Sequence, residues 1–186
     1  MNMSLEELGR IAFEYKSKID GFKKVVLICT GTGCISSGAM KVFSALQNAI
    51  DAEGLIEKVL IKKTGCHGLC ERGPIVVFGN NEILYQTVGK RNIDDDVRLL
   101  VSTIKDDVIA ENLLYKGDDK TIRYVSTHDI PFYAGQTRLV LALNGIIDPE
   151  IIEDYIAHGG YRALIKAFSM ERDEIIEWIE KSGLRG

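Results

Sequence analysis

Val25-Val26-Leu27-Ile28-Cys29 runs directly into Thr30-Gly31-Thr32-Gly33-Cys34. The apolar run reads as a short buried strand, and the glycines after it read as a loop from Thr30 to Gly38. A helix is expected to begin near Ser37 and to bury Ala39, Phe43, Leu46 and Ile50, which recur at intervals of four, three and four residues. Gly54 closes it. Val59-Leu60-Ile61 predicts a second strand, leading into Thr64-Gly65-Cys66-His67-Gly68-Leu69-Cys70 and a second cysteine loop that runs to Gly73. Past Pro74, the apolar runs Ile75 to Phe78 and Ile83 to Tyr85 flank Gly79-Asn80-Asn81, the pattern of an antiparallel hairpin. Asn92 is placed to cap a helix whose apolar face is Ile93, Val97, Leu100 and Ile104. The order is strand, helix, strand, cysteine loop, strand, strand, helix, an α/β pattern over residues 22–106. A right-handed crossover between the first two strands would put the intervening helix on one sheet face and both cysteine loops at the same end of the sheet.

Outward from this core, Ser4 and Glu7 form a capping-box pattern. Leu5, Leu8, Ile11, Ala12 and Tyr15 follow at helical spacing, so residues 1–21 are expected to hold one amphipathic helix ending at Gly21. Downstream, the periodicity weakens, and residues 107–133, with Lys116-Gly-Asp-Asp-Lys120, read as an extended linker. Residues 134–186 read as a small helical segment. Asp148-Pro149-Glu150 is the pattern of an N-cap with proline in the first helical position, and Tyr161 to Phe168 is a short apolar-faced helix. A last helix from Glu171 to Lys181 stops at Gly183. Its Ile175, Ile176, Trp178 and Ile179 spread over more than one face, so it calls for cover from a partner or from the helices before it.

The 186 residues are 46% hydrophobic with a formal charge of -4, a balance suited to a folded core and poorly suited to nucleic acid. The N-terminus lacks the basic and apolar regions of a secretory signal, and no apolar run approaches the roughly 18 residues that span a bilayer. Cytoplasmic residence without membrane insertion is the expectation. In that reducing compartment, closely spaced cysteines point to metal binding or redox chemistry rather than to structural disulfides.

All four cysteines lie in the two loops, as Cys29 with Cys34 and Cys66 with Cys70. The Cys-x4-Cys spacing of the first pair occurs among plant-type [2Fe–2S] ligand sets, and the adjoining Gly31, Gly33, Gly65 and Gly68 would let amide N–H groups approach the sulfurs. A four-thiolate zinc site is the competing reading, although structural zinc more often uses Cys-x2-Cys knuckles. A redox dithiol would also favour Cys-x2-Cys at a helix N-terminus, which this chain lacks. His67 sits within the second pair, but four cysteines already complete a ligand set, so it reads as a loop residue beside the site. Asp94, Asp95 and Asp96 fall in the first turn of a helix, where negative charge suits the dipole.

Cys29-Thr-Gly-Thr-Gly-Cys34, Thr64-Gly-Cys-His-Gly-Leu-Cys70 and Gly73-Pro74 resemble the thioredoxin-like [2Fe–2S] ferredoxin family, over about residues 22–106. The resemblance implies a thioredoxin-like core with a mixed four-stranded sheet and flanking helices. It also implies one [2Fe–2S] cluster, with Cys29 and Cys34 on one iron and Cys66 and Cys70 on the other. Pro131-Phe-Tyr-Ala-Gly-Gln-Thr-Arg-Leu-Val-Leu141, Asn144-Gly-Ile-Ile-Asp-Pro-Glu150, Tyr155-Ile-Ala-His-Gly-Gly-Tyr161 and Ser182-Gly-Leu-Arg-Gly186 look like the start of the flavin-bearing subunit of NADH-linked bifurcating hydrogenases and formate dehydrogenases. That likeness implies electron transfer inside an NADH dehydrogenase-like complex, with other iron–sulfur and flavin subunits as partners. FMN and NADH would bind in a module downstream of Gly186, so the 186 residues are expected to be an N-terminal fragment or split gene product. The chain by itself is read as an electron carrier without bond-making catalysis. The alternative is a zinc-stabilised or cluster-bearing scaffold of a multisubunit complex.

Overall fold

The computed structural model describes residues 4–79, 82–117 and 121–185. The expected turn at Asn80 and Asn81, the Asp118 to Lys120 part of the expected linker, and Gly186 lie outside them. Two compact units are formed, one by residues 19–150 and the other by residues 1–18 with 151–186.

The larger unit is built on a mixed sheet of four strands: β1 (Lys24–Cys29), β2 (Val59–Thr64), β3 (Val76–Phe78) and β4 (Ile83–Tyr85), in the spatial order β2-β1-β3-β4. β1 and β2 are parallel, with Cys29 opposite Thr64, whereas β3 runs antiparallel to both β1 and β4. Parallel strands end at the same edge. The loop after Cys29 and the loop after Thr64 therefore start side by side, joined by the Thr30 amide donating to the Thr64 carbonyl at 2.9 Å. Antiparallel β3 begins at that same edge, where the Cys29 amide donates to the Ile75 carbonyl at 3.0 Å.

Two helices complete the core. The helix over Ala39–Ala52 buries Ala39, Val42, Leu46 and Ile50 and packs on β1 and β2, while that over Ile93–Asp106 buries Val97, Leu100, Val101 and Ile104. Phe43, expected in the buried stripe, is only half-buried, and Val42 takes the fully buried position. The Asn92 side chain accepts from the Asp94 and Asp95 amides at 3.0 and 3.3 Å, and Asp96 accepts from the Gly89 amide at 2.7 Å. The acidic run thus serves the helix start and the turn before it. Asn92→Ala is expected to cost about 1 kcal/mol, read as a lower denaturant midpoint at unchanged slope.

Residues 107–133 are not an extended linker along their described length. Leu113, Leu114, Tyr115 and Ile130 are buried in the same core, Leu114 bridges to Tyr85, and Ser126 bridges to Ile83. The expectation rested on the polar tract at Lys116 to Lys120, and apolar residues on either side of that tract decide the packing. Tyr115–Lys116 pairs antiparallel with Arg123–Tyr124. The helix expected to start at Asp148 starts instead at Ile152, and Asp148 Oδ1 accepts from the Glu150 amide at 3.0 Å in a turn before it.

In the smaller unit, Ser4 Oγ accepts from the Glu7 amide at 3.1 Å and starts the helix over Leu5–Asp20. Gly9 lies inside this helix with nothing within 4 Å of where a Cβ would stand. Gly9→Ala should accordingly stabilise the helix by about 0.5–1 kcal/mol, seen as a raised thermal midpoint. The C-terminal helices span Ile152–Ala157, Arg162–Phe168 and Arg172–Ser182. Lys166 Nζ stands 3.6 Å from the centroid of the Trp178 ring, so the last two helices meet, yet Trp178, Ile176 and Ile179 remain exposed. No helix of the described residues is long and apolar enough to cross a membrane.

Candidate metal centre

The first cysteine loop is partly helical. Residues Thr32–Ser36 form one short turn that carries Cys34, capped at its C-terminal end by the Ser37 amide on the Gly33 and Cys34 carbonyls. A glycine-rich stretch of five residues carries no helical period, so sequence reading leaves it as loop. The consequence is that Cys34 points inward and is buried, as is Cys29 at the end of β1. Cys66 is half-buried and Cys70 is exposed.

The four thiols form a chain of neighbours. Cys29 interacts with the thiols of both Cys34 and Cys66, and Cys66 Sγ lies 3.7 Å from Cys70 Sγ. Among the described residues, no three His, Cys, Asp or Glu side chains gather about one point as a lone ion would require. Glycines allow the two loops to close. A Cβ on Gly31 would stand 2.9 Å from Cys66 Cβ, one on Gly33 would stand 3.1 Å from Cys70 Cβ, and one on Gly73 would stand 2.8 Å from Cys34 Sγ. Gly31 and Gly33 of the first loop thus each abut a cysteine of the second, and the glycine that ends the second loop abuts a cysteine of the first.

Backbone amides point at the sulfurs. Gly68 donates to Cys66 Sγ at 3.3 Å, Cys29 receives the amides of His67 and Gly31, and Cys34 receives that of Ile75. The Cys29 thiol is held below its ordinary pKa, chiefly because Cys34 donates to it, with the His67 and Gly31 amides adding to the effect. Cys34, as the donor and as a buried group, is raised. Cys70 is also raised, through its hydrogen bond with Cys66. Buried thiolate with amide donors already aimed at it suits a ligand that carries negative charge on sulfur, and the donor set fits an iron–sulfur group held by Cys29, Cys34, Cys66 and Cys70.

His67 is not placed among the sulfurs by its ring. That ring is buried, its Nε2 lies 3.4 Å from Thr64 Oγ1, and a Cβ on Gly145 would stand 2.5 Å from it. Burial pushes its pKa down to about 4, aided by Arg138. Two residues near this loop lie in stretches noted in the sequence only for their family likeness, with nothing to tie them to the cysteines: Tyr133 Oη donates to the His67 carbonyl at 3.0 Å, and Asn144 Nδ2 donates to the Cys66 carbonyl at 3.3 Å. His128 is paired with Glu82, and His158, in the smaller unit, is paired with Asp154.

Residues 13–100 match the family described as thioredoxin-like [2Fe-2S] ferredoxin. Among curated proteins, the chain is 42% identical over 59 residues to an NADH-quinone oxidoreductase subunit of Aquifex aeolicus (strain VF5), and 45% identical over 51 residues to the HndC subunit of the NADP-reducing hydrogenase of Solidesulfovibrio fructosivorans. These matches take in 31% and 27% of this chain but only 14% and 10% of the two relatives. A 2Fe-2S ferredoxin of Clostridium pasteurianum is 28% identical over 80 residues, 43% of this chain and 76% of that protein. Among solved structures, the thioredoxin-like [2Fe-2S] ferredoxin of Aquifex aeolicus is 24% identical, with a TM-score of 0.45 over 52% of this chain and 99% of that one.

Proposed function

We propose, for a chain whose residues 13–100 form a domain of the thioredoxin-like [2Fe–2S] ferredoxin family, that Cys29, Cys34, Cys66 and Cys70 hold one [2Fe–2S] cluster and that the domain relays single electrons within an NADH-linked oxidoreductase. The observation that carries this reading is the closure of two cysteine loops through Gly31, Gly33 and Gly73, with amides of Gly31, His67, Gly68 and Ile75 directed at sulfur. When bound, such a cluster supplies a site that takes up and gives back one electron without a bond being made to substrate. The chain's part is to supply four thiolates, to offset their charge with N–H donors and to exclude water from Cys29 and Cys34. Cys70, being exposed, marks the side from which an electron partner can approach.

The two relatives whose names carry NADH-quinone oxidoreductase and NADP-reducing hydrogenase support a place among flavin and iron–sulfur subunits, with FMN and the nicotinamide bound outside residues 1–186. The division into a ferredoxin core at 22–106 and a helical segment at 134–186 leading into a flavin module belongs to the same proposal. Protein purified without oxygen should be brown and contain two irons and two acid-labile sulfides per chain. Colourless protein holding one zinc per chain would overturn the reading and favour a structural metal scaffold.

A further inference from the structure

The chain after the family match returns to the second cysteine loop. Tyr133 and Asn144 lie 66 and 78 residues beyond the loop groups they reach, and each donates there to a backbone carbonyl. The two carbonyls belong to consecutive peptide planes. The plane between Cys66 and His67 carries the carbonyl gripped by Asn144 and the His67 amide that reaches Cys29. The next plane, between His67 and Gly68, carries the carbonyl gripped by Tyr133 and the Gly68 amide, 3.3 Å from Cys66 Sγ. In a planar trans peptide, C=O and N–H point in opposite directions, so a donor that fixes the oxygen from outside fixes the direction of the N–H on the inside.

Neighbouring contacts hold the two side chains in place. Arg138 stacks 4.6 Å from the centre of the Tyr133 ring, Phe132 meets that ring edge to face at 5.2 Å, and Asn144 rests against Gly65. Gly145 backs the His67 ring so closely that no side chain fits between them. Gly68, at φ +87, is itself packed under Phe132, whose ring would stand 3.0 Å from an added Cβ. The second cysteine loop is therefore held from outside along Gly65, Cys66, His67 and Gly68 by residues 132–145.

We propose that Tyr133 and Asn144 are positioning residues for the metal centre: by anchoring the carbonyls of His67 and Cys66, they aim the Gly68 and His67 amides at Cys66 and Cys29 and so set the reduction potential of the cluster. This inference rests on the cluster reading above. Reduction adds an electron to a centre already surrounded by thiolate charge, and N–H donors on the sulfurs favour the reduced form more than the oxidised one. Loosening either peptide plane lowers the potential.

The test is a redox titration of the anaerobically purified 186-residue chain and of Tyr133→Phe and Asn144→Leu, monitored by visible absorption and by the electron paramagnetic resonance of the reduced state. Tyr133→Phe keeps the ring that packs on Phe132 and Arg138 and removes the hydroxyl, which donates to the His67 carbonyl and also receives Arg138. Each variant is expected to hold as much iron as the parent while its reduced-to-oxidised ratio at a fixed potential falls by about tenfold, a shift of 59 mV for one electron. Altered g values should accompany the shift. Loaded variants that titrate at the parental potential would overturn the inference and leave the cluster reading standing. A parental chain without iron and sulfide would overturn both.

Discussion

Cys29→Ala is expected to leave the chain colourless, with iron falling from two per chain to a small fraction of that after anaerobic purification. Cys29 is the most constrained of the four thiols. It ends β1, it is 1% exposed, and it receives two backbone amides as well as the Cys34 thiol. Alanine removes the sulfur those donors face and supplies no oxygen that could replace it as a ligand. The amides of His67 and Gly31 then lose their buried acceptor, a loss that costs about 1–3 kcal/mol for each group left without a partner. The damage is therefore double: a missing ligand, and a loop junction that no longer has its central acceptor. Because binding to the folded state alone adds stability by mass action, the parental chain should also melt well above the variant when both are prepared with iron and sulfide. Cys70→Ala makes the contrast, since an exposed thiol leaves the junction intact and should lower iron content with a smaller change in the melting point of the metal-free chain. Iron analysis by colorimetry and thermal melts of metal-free and reconstituted protein measure both effects. Full iron occupancy in Cys29→Ala would remove this residue from the ligand set.

The cysteine loops were legible from sequence because their information is local. An apolar run ending in cysteine, followed by two glycines and a second cysteine, states a strand end and a tight loop within ten residues, and the mixed sheet then brings two such loops to one edge. The helices over Ala39–Ala52 and Ile93–Asp106 were legible for a similar reason, since their apolar periods run through three turns. The choice between Val42 and Phe43 was not. They are adjacent residues about 100° apart on the helix, and which of the two is fully covered depends on the elements packed against it, which the spacing does not state. Tyr133 and Asn144 left no trace in any spacing, because a hydrogen bond to a carbonyl 66 or 78 residues earlier selects a donor at one position and imposes no period on its neighbours. The packed stretch around Leu113 to Tyr115 was hidden by the polar tract next to it. A short buried segment can be held by bridges to β4 without any pattern of its own.

Gly31→Ala should break the junction without removing a ligand. Gly31 has φ -62 and ψ 153, a conformation any residue adopts, so alanine brings no backbone strain and the effect is purely one of space. The added methyl would stand 2.9 Å from Cys66 Cβ and 3.2 Å from Cys66 Cα. Neither atom can swing aside as a flexible side-chain end can, so the second loop must shift as a body. Overpacking of this kind costs about 1–3 kcal/mol in the metal-free fold. The functional cost is larger than the stability cost, because a displaced second loop carries both the Cys66 thiol and the His67 amide away from Cys29. Gly33→Ala meets Cys70 Cβ at 3.1 Å, on the exposed side of the site, and should have the same sign with a smaller size. Gly9→Ala, in open space, should have the opposite sign. The expected order of stability is therefore Gly9→Ala above the parent, then Gly33→Ala, then Gly31→Ala, with iron retention lowest in the last. If Gly31→Ala instead kept full iron and parental stability, the loops would not be in the close contact from which the ligand set is built.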